Sequence, residues 1–546
     1  MNPIILRGVR ERLRIKHLIA AGLFSLIISA TLYFTAYLEG AEGDWVLDHE
    51  TQSWIRGEPS LVEGARQAFT YLFALQGFFL MFLGTGRVAA ITAEEKESGL
   101  MDYQRMTPMN PFAKITGYLF GLPAREYFMF AVTLPFLLHC IIVGELSIEN
   151  VLHLYFVFFS SVVLYHLTAH VIGLVVPKPR AASWVSRIVV LGLYVFLPAF
   201  GQAGISFLSF LTILPTYFGK MLPQLISTQS NGYRGQFDDM INFWQDVPFF
   251  TTEIPPSVFT LIMQGLILAA LLITAYRKWR NESLPAFSKT SGLIIFAVFQ
   301  FLLFGSLWPF FSEGKASGLL GENFSLSEAE NRGGAPVILL FVQSVFFGLS
   351  LLGILTLINT CCPDRHLHLK GAQRANRLGL PSIPMFADES RGTWFVLALG
   401  AMVCTVHAIL LSQAVATDLF FSIKPELTAF YLPSLLLIAC ALYLQAAREL
   451  WFSLGFWGFV GLLWITPLLA SLVLAVGWEE KSLDTVAMLS SLCPILCLPQ
   501  ILASQYPIPI PDEYLHTLPF GAFTGLGTAS LLAIVFSIRL HRKTRA

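Results

Sequence analysis

The chain has 546 residues, of which 55% are hydrophobic and only 13% charged, with a mean hydropathy of +0.65 and a formal net charge of +0. A soluble protein of this length carries about twice that charged fraction, so a soluble globular architecture is excluded. The long continuous apolar runs also exclude a transmembrane β-barrel, which is built from short alternating strands. Runs near the roughly 20 residues that cross hydrocarbon recur along the chain. The expected fold class is an all-α polytopic membrane protein with about twelve transmembrane helices.

Basic residues Arg7, Arg10, Arg12, Arg14 and Lys16 precede the first apolar run, 18–38. That arrangement mimics a signal peptide, but the run is span-length and no small-residue cleavage site follows it. It reads as an uncleaved first span behind a basic amphipathic helix on the membrane surface. The next connection is acidic, with Glu39, Glu42, Asp44, Asp48, Glu50, Glu58 and Glu63. Further basic clusters stand at Arg277, Lys278 and Arg280, at Lys370, Arg374 and Arg377, and at Arg539, Arg542, Lys543 and Arg545. The positive-inside rule puts both termini in the cytoplasm and the acidic loop outside, which requires an even number of spans. By apolar length the spans fall near 18–38, 66–91, 115–143, 150–176, 184–207, 256–276, 291–311, 335–359, 393–413, 428–447, 451–477 and 518–539.

The second span carries Gly84 and Gly86, which allow close helix approach. It leads into the most informative stretch of the chain, Glu94-Glu95-Lys96-Glu97-Ser98-Gly99-Leu100-Met101-Asp102-Tyr103-Gln104-Arg105-Met106-Thr107-Pro108. This segment is charged and helix-prone, with an apolar stripe at Leu100, Tyr103 and Met106 and a stop at Thr107-Pro108. Acidic residues in the first turn suit the helix dipole, Gly99 permits close backbone approach, and the stripe offers area to bury. On a merely solvated loop that stripe has no use, so the segment reads as a docking element for a soluble partner.

The pattern Glu95-Lys96-Glu97-Ser98-Gly99-Leu100-Met101-Asp102, followed by Thr107-Pro108, Lys114 and Gly117, resembles the membrane subunits of ABC-2-type ATP-binding-cassette transporters. The resemblance implies that Glu94, Glu95, Lys96, Glu97, Gly99, Leu100, Asp102, Tyr103, Met106, Thr107 and Pro108 form an ATPase-coupling loop. A separate cytoplasmic ABC ATPase subunit would grip that loop. It also implies that the second and fifth spans line the translocation route, bringing Phe78, Phe79, Phe82 and Trp184 toward it. No substrate-binding residue is assigned.

Farther on, Arg125-Glu126 is expected roughly ten residues, or 15 Å, inside the third span, paired toward the bundle interior. His166 and His170 share a face of the fourth span and read as neutral, hydrogen-bonded histidines before they read as a metal or proton site. His139 and His407 read as packing residues. The chain repeats its plan with an offset of about 270 residues, giving two parallel six-helix repeats, 1–280 and 281–546. Each half opens with a span and a polar outer loop, 39–65 and 312–334. Each has a long cytoplasmic connection after its second span, 92–114 and 360–391. Each has a proline-broken outer segment after its fifth span, from Leu211 to Pro215 onward and from Leu492 to Pro499, suited to a re-entrant position. The second half lacks the glutamate–glycine signature in Cys361-Cys362-Pro363-Asp364-Arg365-His366-Leu367-His368 through Arg391. Spacing there does not match a closed zinc site. Arg448-Glu449 reads as a snorkelling charge pair at a cytoplasmic turn, and the 7 cysteines form no disulfide framework.

No G-x-x-x-x-G-K-[ST] phosphate loop is present, so ATP is expected on the partner subunit and no cofactor on this chain. The expected function is a permease subunit of an ABC transporter, exporting a hydrophobic or amphipathic solute. The expected location is the bacterial cytoplasmic membrane. Partners are the ATPase subunits, membrane lipids and accessory membrane subunits, without nucleic acid; the chain is not itself expected to be an enzyme. The alternatives are an ion-coupled secondary transporter, for which Glu126 is the one candidate carboxylate, and a transport-inactive scaffold.

Overall fold

The computed structural model describes residues 2–42, 45–47, 54–56, 59–202, 206–226, 244, 246–282, 284–313, 335–417, 427–451, 453–477, 483–506 and 517–545. Among the described residues 85% are helical, and 12 helices are long and apolar enough to cross a membrane. It is an all-α polytopic membrane protein. Its residues cluster into two compact units that meet in sequence near Ser283 and Leu284. Of the expected outer loops 39–65 and 312–334, residues 43–44, 48–53, 57–58 and 314–334 lie outside the described residues, and Trp45–Leu47 pairs antiparallel with Trp54–Arg56.

In the first unit the spans are Ile15–Ala41, Leu61–Glu97, Ala124–Val143, Ile148–Val175, Pro179–Pro198 and Pro256–Arg280. The local signals that start these helices are readable. Ser60 caps the second span by accepting from the Glu63 amide at 3.3 Å, with Glu63 in the first turn. Asn110 caps the helix Pro111–Gly121, whose first residue is a proline already set for helical φ. The third span differs from the expected continuous run 115–143. Helix Pro111–Gly121 ends before Leu122 and Pro123, and the span restarts at Ala124. Pro123 has no amide to continue the ladder, so the chain breaks there. Arg125 and Glu126 therefore sit in the first turn of the span rather than deep within it. Their pairing holds, with Arg125 Nη2 donating to Glu126 Oε1 at 2.8 Å.

The core of the first unit is aromatic, built on Phe69, Phe73, Phe130, Phe158 and Tyr165 from the second, third and fourth spans. A second cluster around Val88, Tyr118, Leu167 and Trp279 packs the end of the bundle from which the segment after Glu97 emerges. The second span is not a plain α-helix: Phe78–Gly84 is wound as a π-helix. Such bulges often mark functional sites, and hydropathy carries no signal for them.

In the second unit the spans are Lys289–Glu313, Val337–Cys361, Thr393–Thr417, Thr428–Leu450, Leu454–Leu474 and Leu518–Arg542. After the eleventh, Thr485–Ser491 and Pro494–Ala503 form a helix pair bent by 119° at Leu492 and Cys493, too short apiece to span. In the first unit the proline-broken segment is one short continuous helical stretch, Leu214–Thr216, Tyr217–Met221 and Leu222–Leu225, with a π-helical middle. None of the cysteines forms a disulfide.

Candidate docking site

Two membrane crossings return the chain to the side on which it began, so the segment after Glu97 and the N-terminal helix Pro3–Arg12 share one face of the membrane. The expected single helix from Glu94 to Pro108 is in fact two. The second span runs to Glu97, and a new helix, Leu100–Met106, begins after Gly99. Gly99 has φ +74°, and nothing lies within 4 Å of where a Cβ would project. Its role is the left-handed turn rather than close approach to a neighbour within the chain.

The short helix has two unlike faces. Met101 and Gln104 are buried, whereas Leu100, Tyr103 and Met106 are 37%, 66% and 78% exposed. Positions i, i+3 and i+6 thus put the apolar stripe outward, away from the protein's own core. Glu94, Glu97, Asp102 and Pro108 are exposed beside it, while Thr107 is half-buried and its hydroxyl donates to the Gln104 carbonyl at 2.6 Å.

The inner face is held by a connected polar cluster. The Glu95 carboxylate is buried; it accepts from Arg7 of the N-terminal helix, from the Tyr118 hydroxyl and from Gln104 Nε2 at 3.2 Å. Tyr118 also lies 2.9 Å from Gln104 Oε1, and its single proton bridges the two acceptors. Burial, and then the adjacent Glu95 charge, push the Tyr118 phenol well above its ordinary pKa, so it stays a donor. Lys114 is buried at the end of the cluster; its ammonium donates to the carbonyls of Gln104 at 2.6 Å and Thr107 at 3.3 Å. Burial, and then Arg105 nearby, lower the Lys114 pKa.

A third brace comes from the sixth span's end. Lys96 donates to the Leu174 carbonyl at 2.6 Å and pairs with Glu282 at 2.8 Å. Arg105 pairs with Asp102 at 2.5 Å and with Glu282 at 3.0 Å, and donates to the Lys278 carbonyl at 3.3 Å. The hydrogen bond from Lys96 is the main reason the Glu282 carboxyl is held below its ordinary value.

Beneath this site the two histidines of the fourth span are occupied structurally. His166 Nε2 donates to the Leu80 carbonyl at 3.0 Å, a group within the π-helical turn. His170 Nε2 accepts from the Trp279 indole at 2.8 Å, so its Nδ1 carries the proton, 3.1 Å from Thr92 Oγ1. Gly84 makes room for His166, since a Cβ there would stand 2.7 Å from Nε2. Among the described residues no group of three or more metal-ligating side chains exists. Cys361 and Cys362 are buried, and His368 lies 2.8 Å from the Glu389 carbonyl. Tyr33 and Gln343 pair with His139 and His407 respectively.

A cavity of about 500 Å³ opens beside the π-helical turn, lined by Phe73, Phe78, Phe82, Phe158, Tyr194 and Tyr217 among others. Phe78 and Phe82 reach it; Phe79 is buried in a separate cluster with Leu75 and Met129, and Trp184 is 62% exposed outside the lining. No protein-family model matches the chain, and neither a curated protein nor a solved structure matches it.

Sequence reasoning found the outward stripe but missed the backing. Arg7, Tyr118 and Glu282 come from outside the motif, and Gln104 within it carries no mark that it turns inward. Glu95, grouped in the sequence with Glu94 and Glu97, turns inward. Arg448-Glu449 also departs from the surface pair expected of it. Glu449 is buried, its Oε1 accepting from the Gly392 amide at 2.8 Å and Gln445 Nε2 at 2.6 Å. A free backbone N–H at the start of the ninth span needs an acceptor, and Glu449 supplies it.

Proposed function

We propose that this chain is the membrane subunit of an ABC-2-type ATP-binding-cassette transporter, exporting a hydrophobic or amphipathic solute across the bacterial cytoplasmic membrane. A separate cytoplasmic ATPase would hydrolyse the ATP. The observation that carries the reading is the outward row Leu100, Tyr103 and Met106 on a helix fixed from behind. An apolar row standing in water gains free energy only when a partner covers it. Rigid backing lets a push on that row travel inward instead of bending the loop. The path runs through Glu95 to Arg7 on the N-terminal helix and, along the same helix as Glu95, to the π-helical turn beside the aromatic cavity. The cavity's size suits a small organic molecule, and its aromatic lining favours an apolar one.

Glu126, the one candidate coupling carboxylate of the secondary-transporter alternative, is paired with Arg125 in the first turn of its helix, which favours the ATPase-driven reading.

Purification in mild detergent is expected to recover an ATPase with the wild-type chain. Tyr103→Asp combined with Met106→Asp should lower that recovery about thirtyfold, the effect of losing a roughly 2 kcal/mol contact, and ATP-dependent transport in vesicles should fall with it. Undiminished recovery and transport in the double variant would sink the docking role.

A further inference from the structure

We propose that a cavity on the first unit binds the phosphate group of a membrane lipid. The cavity has a volume of about 270 Å³ and is lined by Glu11, Arg14, His17, Arg87 and Arg125. These residues come from separate stretches. Glu11 ends the N-terminal helix, Arg14 and His17 open the first span, Arg87 lies on the second span and Arg125 opens the third.

Three guanidinium groups around one space repel one another unless a negative charge sits among them. The chain's own carboxylates fall short. Glu126 is taken up by Arg125, accepting from Nη2 at 2.8 Å and Nε at 3.2 Å. Arg14 and Arg87 form no ion pair with a described carboxylate, which leaves Glu11 as the one acid in the lining. An outside anion supplies the missing charge. Guanidinium forks match pairs of phosphate oxygens, so a phosphoester suits this lining better than a halide or a single carboxylate.

Depth points to the source. Arg14 immediately precedes the first span, His17 is in its first turn, and Arg125 is the second residue of the third. That is the level at which lipid phosphates lie. Phe24 and Thr31 follow His17 at i+7 and i+14 on the same helix face and are both exposed, giving an acyl chain a strip to lie along. A free phosphate ion shares the headgroup's chemistry but has no use for that strip.

The test measures how fast phenylglyoxal modifies Arg14 and Arg87 in the intact chain, reconstituted in bilayers and read by peptide mass. In glycosyldiacylglycerol, which has no phosphate, both should react freely. In the same lipid mixed with phosphatidylglycerol both should react about tenfold more slowly relative to the exposed Arg377, as expected for a site filled about nine-tenths of the time. Arg87→Gln should abolish the protection of Arg14; if that variant does not insert, the wild-type rates decide alone. Rates independent of lipid phosphate would overturn the site. Equal protection by inorganic phosphate added to the glycolipid bilayer would overturn the lipid assignment. The inference is independent of ATPase docking, and Tyr103→Asp should leave the protection intact.

Discussion

The connection after the second span and the connection after the eighth use one internal device and turn opposite chemistry outward. In the first, buried Lys114 gathers the carbonyls of Gln104 and Thr107 and so fixes the end of helix Leu100–Met106. In the second, buried Lys289 gathers those of Ala387 at 2.8 Å, Asp388 at 3.3 Å and Ser390 at 2.8 Å, fixing the stretch that leads into the ninth span. A lysine ammonium has three donors and no acceptor, so it suits carbonyls left open where a chain turns into a membrane span. The outward faces then part. The first presents Glu94, Glu97 and Asp102 around an apolar row. The second presents helix Arg365–Arg377, whose Arg365, Lys370, Arg374 and Arg377 are exposed and which holds no acidic residue. The anchoring is shared and the exposed surfaces differ in charge and apolar content.

The largest effect should come from removing an anchor. Lys289→Met keeps the apolar stem but leaves three buried carbonyls without their charged donor, and is expected to cost about 3 kcal/mol in thermal unfolding of the detergent-solubilised chain. Lys114→Met should cost less, about 2 kcal/mol, because it serves two carbonyls. Equal and negligible losses would break the proposed common device.

Next is the contrast between the inward and outward carboxylates of one motif. Glu95→Ala strips the Arg7, Tyr118 and Gln104 contacts and should destabilise by about 2 kcal/mol. Glu97→Ala, exposed, should stay within about 0.5 kcal/mol. The same thermal measurement reads both, and similar values would mean that the Glu95 cluster holds nothing in place.

The smallest expected effect concerns Glu282, which braces Lys96 and Arg105 from a half-exposed position. Its carboxyl is held below the ordinary 4.5, so the unfolded chain binds its proton first as pH falls. The stabilisation is therefore complete above about pH 4.5 and is lost as pH drops through the lowered folded value. Glu282→Gln should flatten that part of the acid-unfolding curve slightly, since solvent screens the pair. An unchanged acid limb would remove Glu282 from the brace.

The spans were legible because each is a continuous apolar run, and burial in lipid tolerates little else. The row Leu100, Tyr103 and Met106 was legible from spacing, whereas the break at Gly99 was not, because the charged, helix-prone residues on both sides of it read as one helix. The break at Pro123 was read through, since Leu122 and Ala124 keep hydropathy high across it. Nothing in Phe78–Gly84 marks a π-helical turn, because the same residues fill an α-helix equally well. Glu95 and Glu97 look alike in sequence; which one turns inward depends on Arg7 and Tyr118 arriving from elsewhere in the chain.

By itself, then, the sequence determined a helical membrane protein of about twelve spans with an acidic, apolar-striped segment after the second. Length and hydropathy are local quantities, and the bilayer reads them one run at a time. Only the tertiary structure decided which motif residues brace helix Leu100–Met106 and which are exposed. It alone showed that π-helical Phe78–Gly84 borders an aromatic cavity and that Arg14, Arg87 and Arg125 line a common one. Those outcomes depend on side chains that meet only when distant helices pack, and no pattern along the chain encodes that meeting.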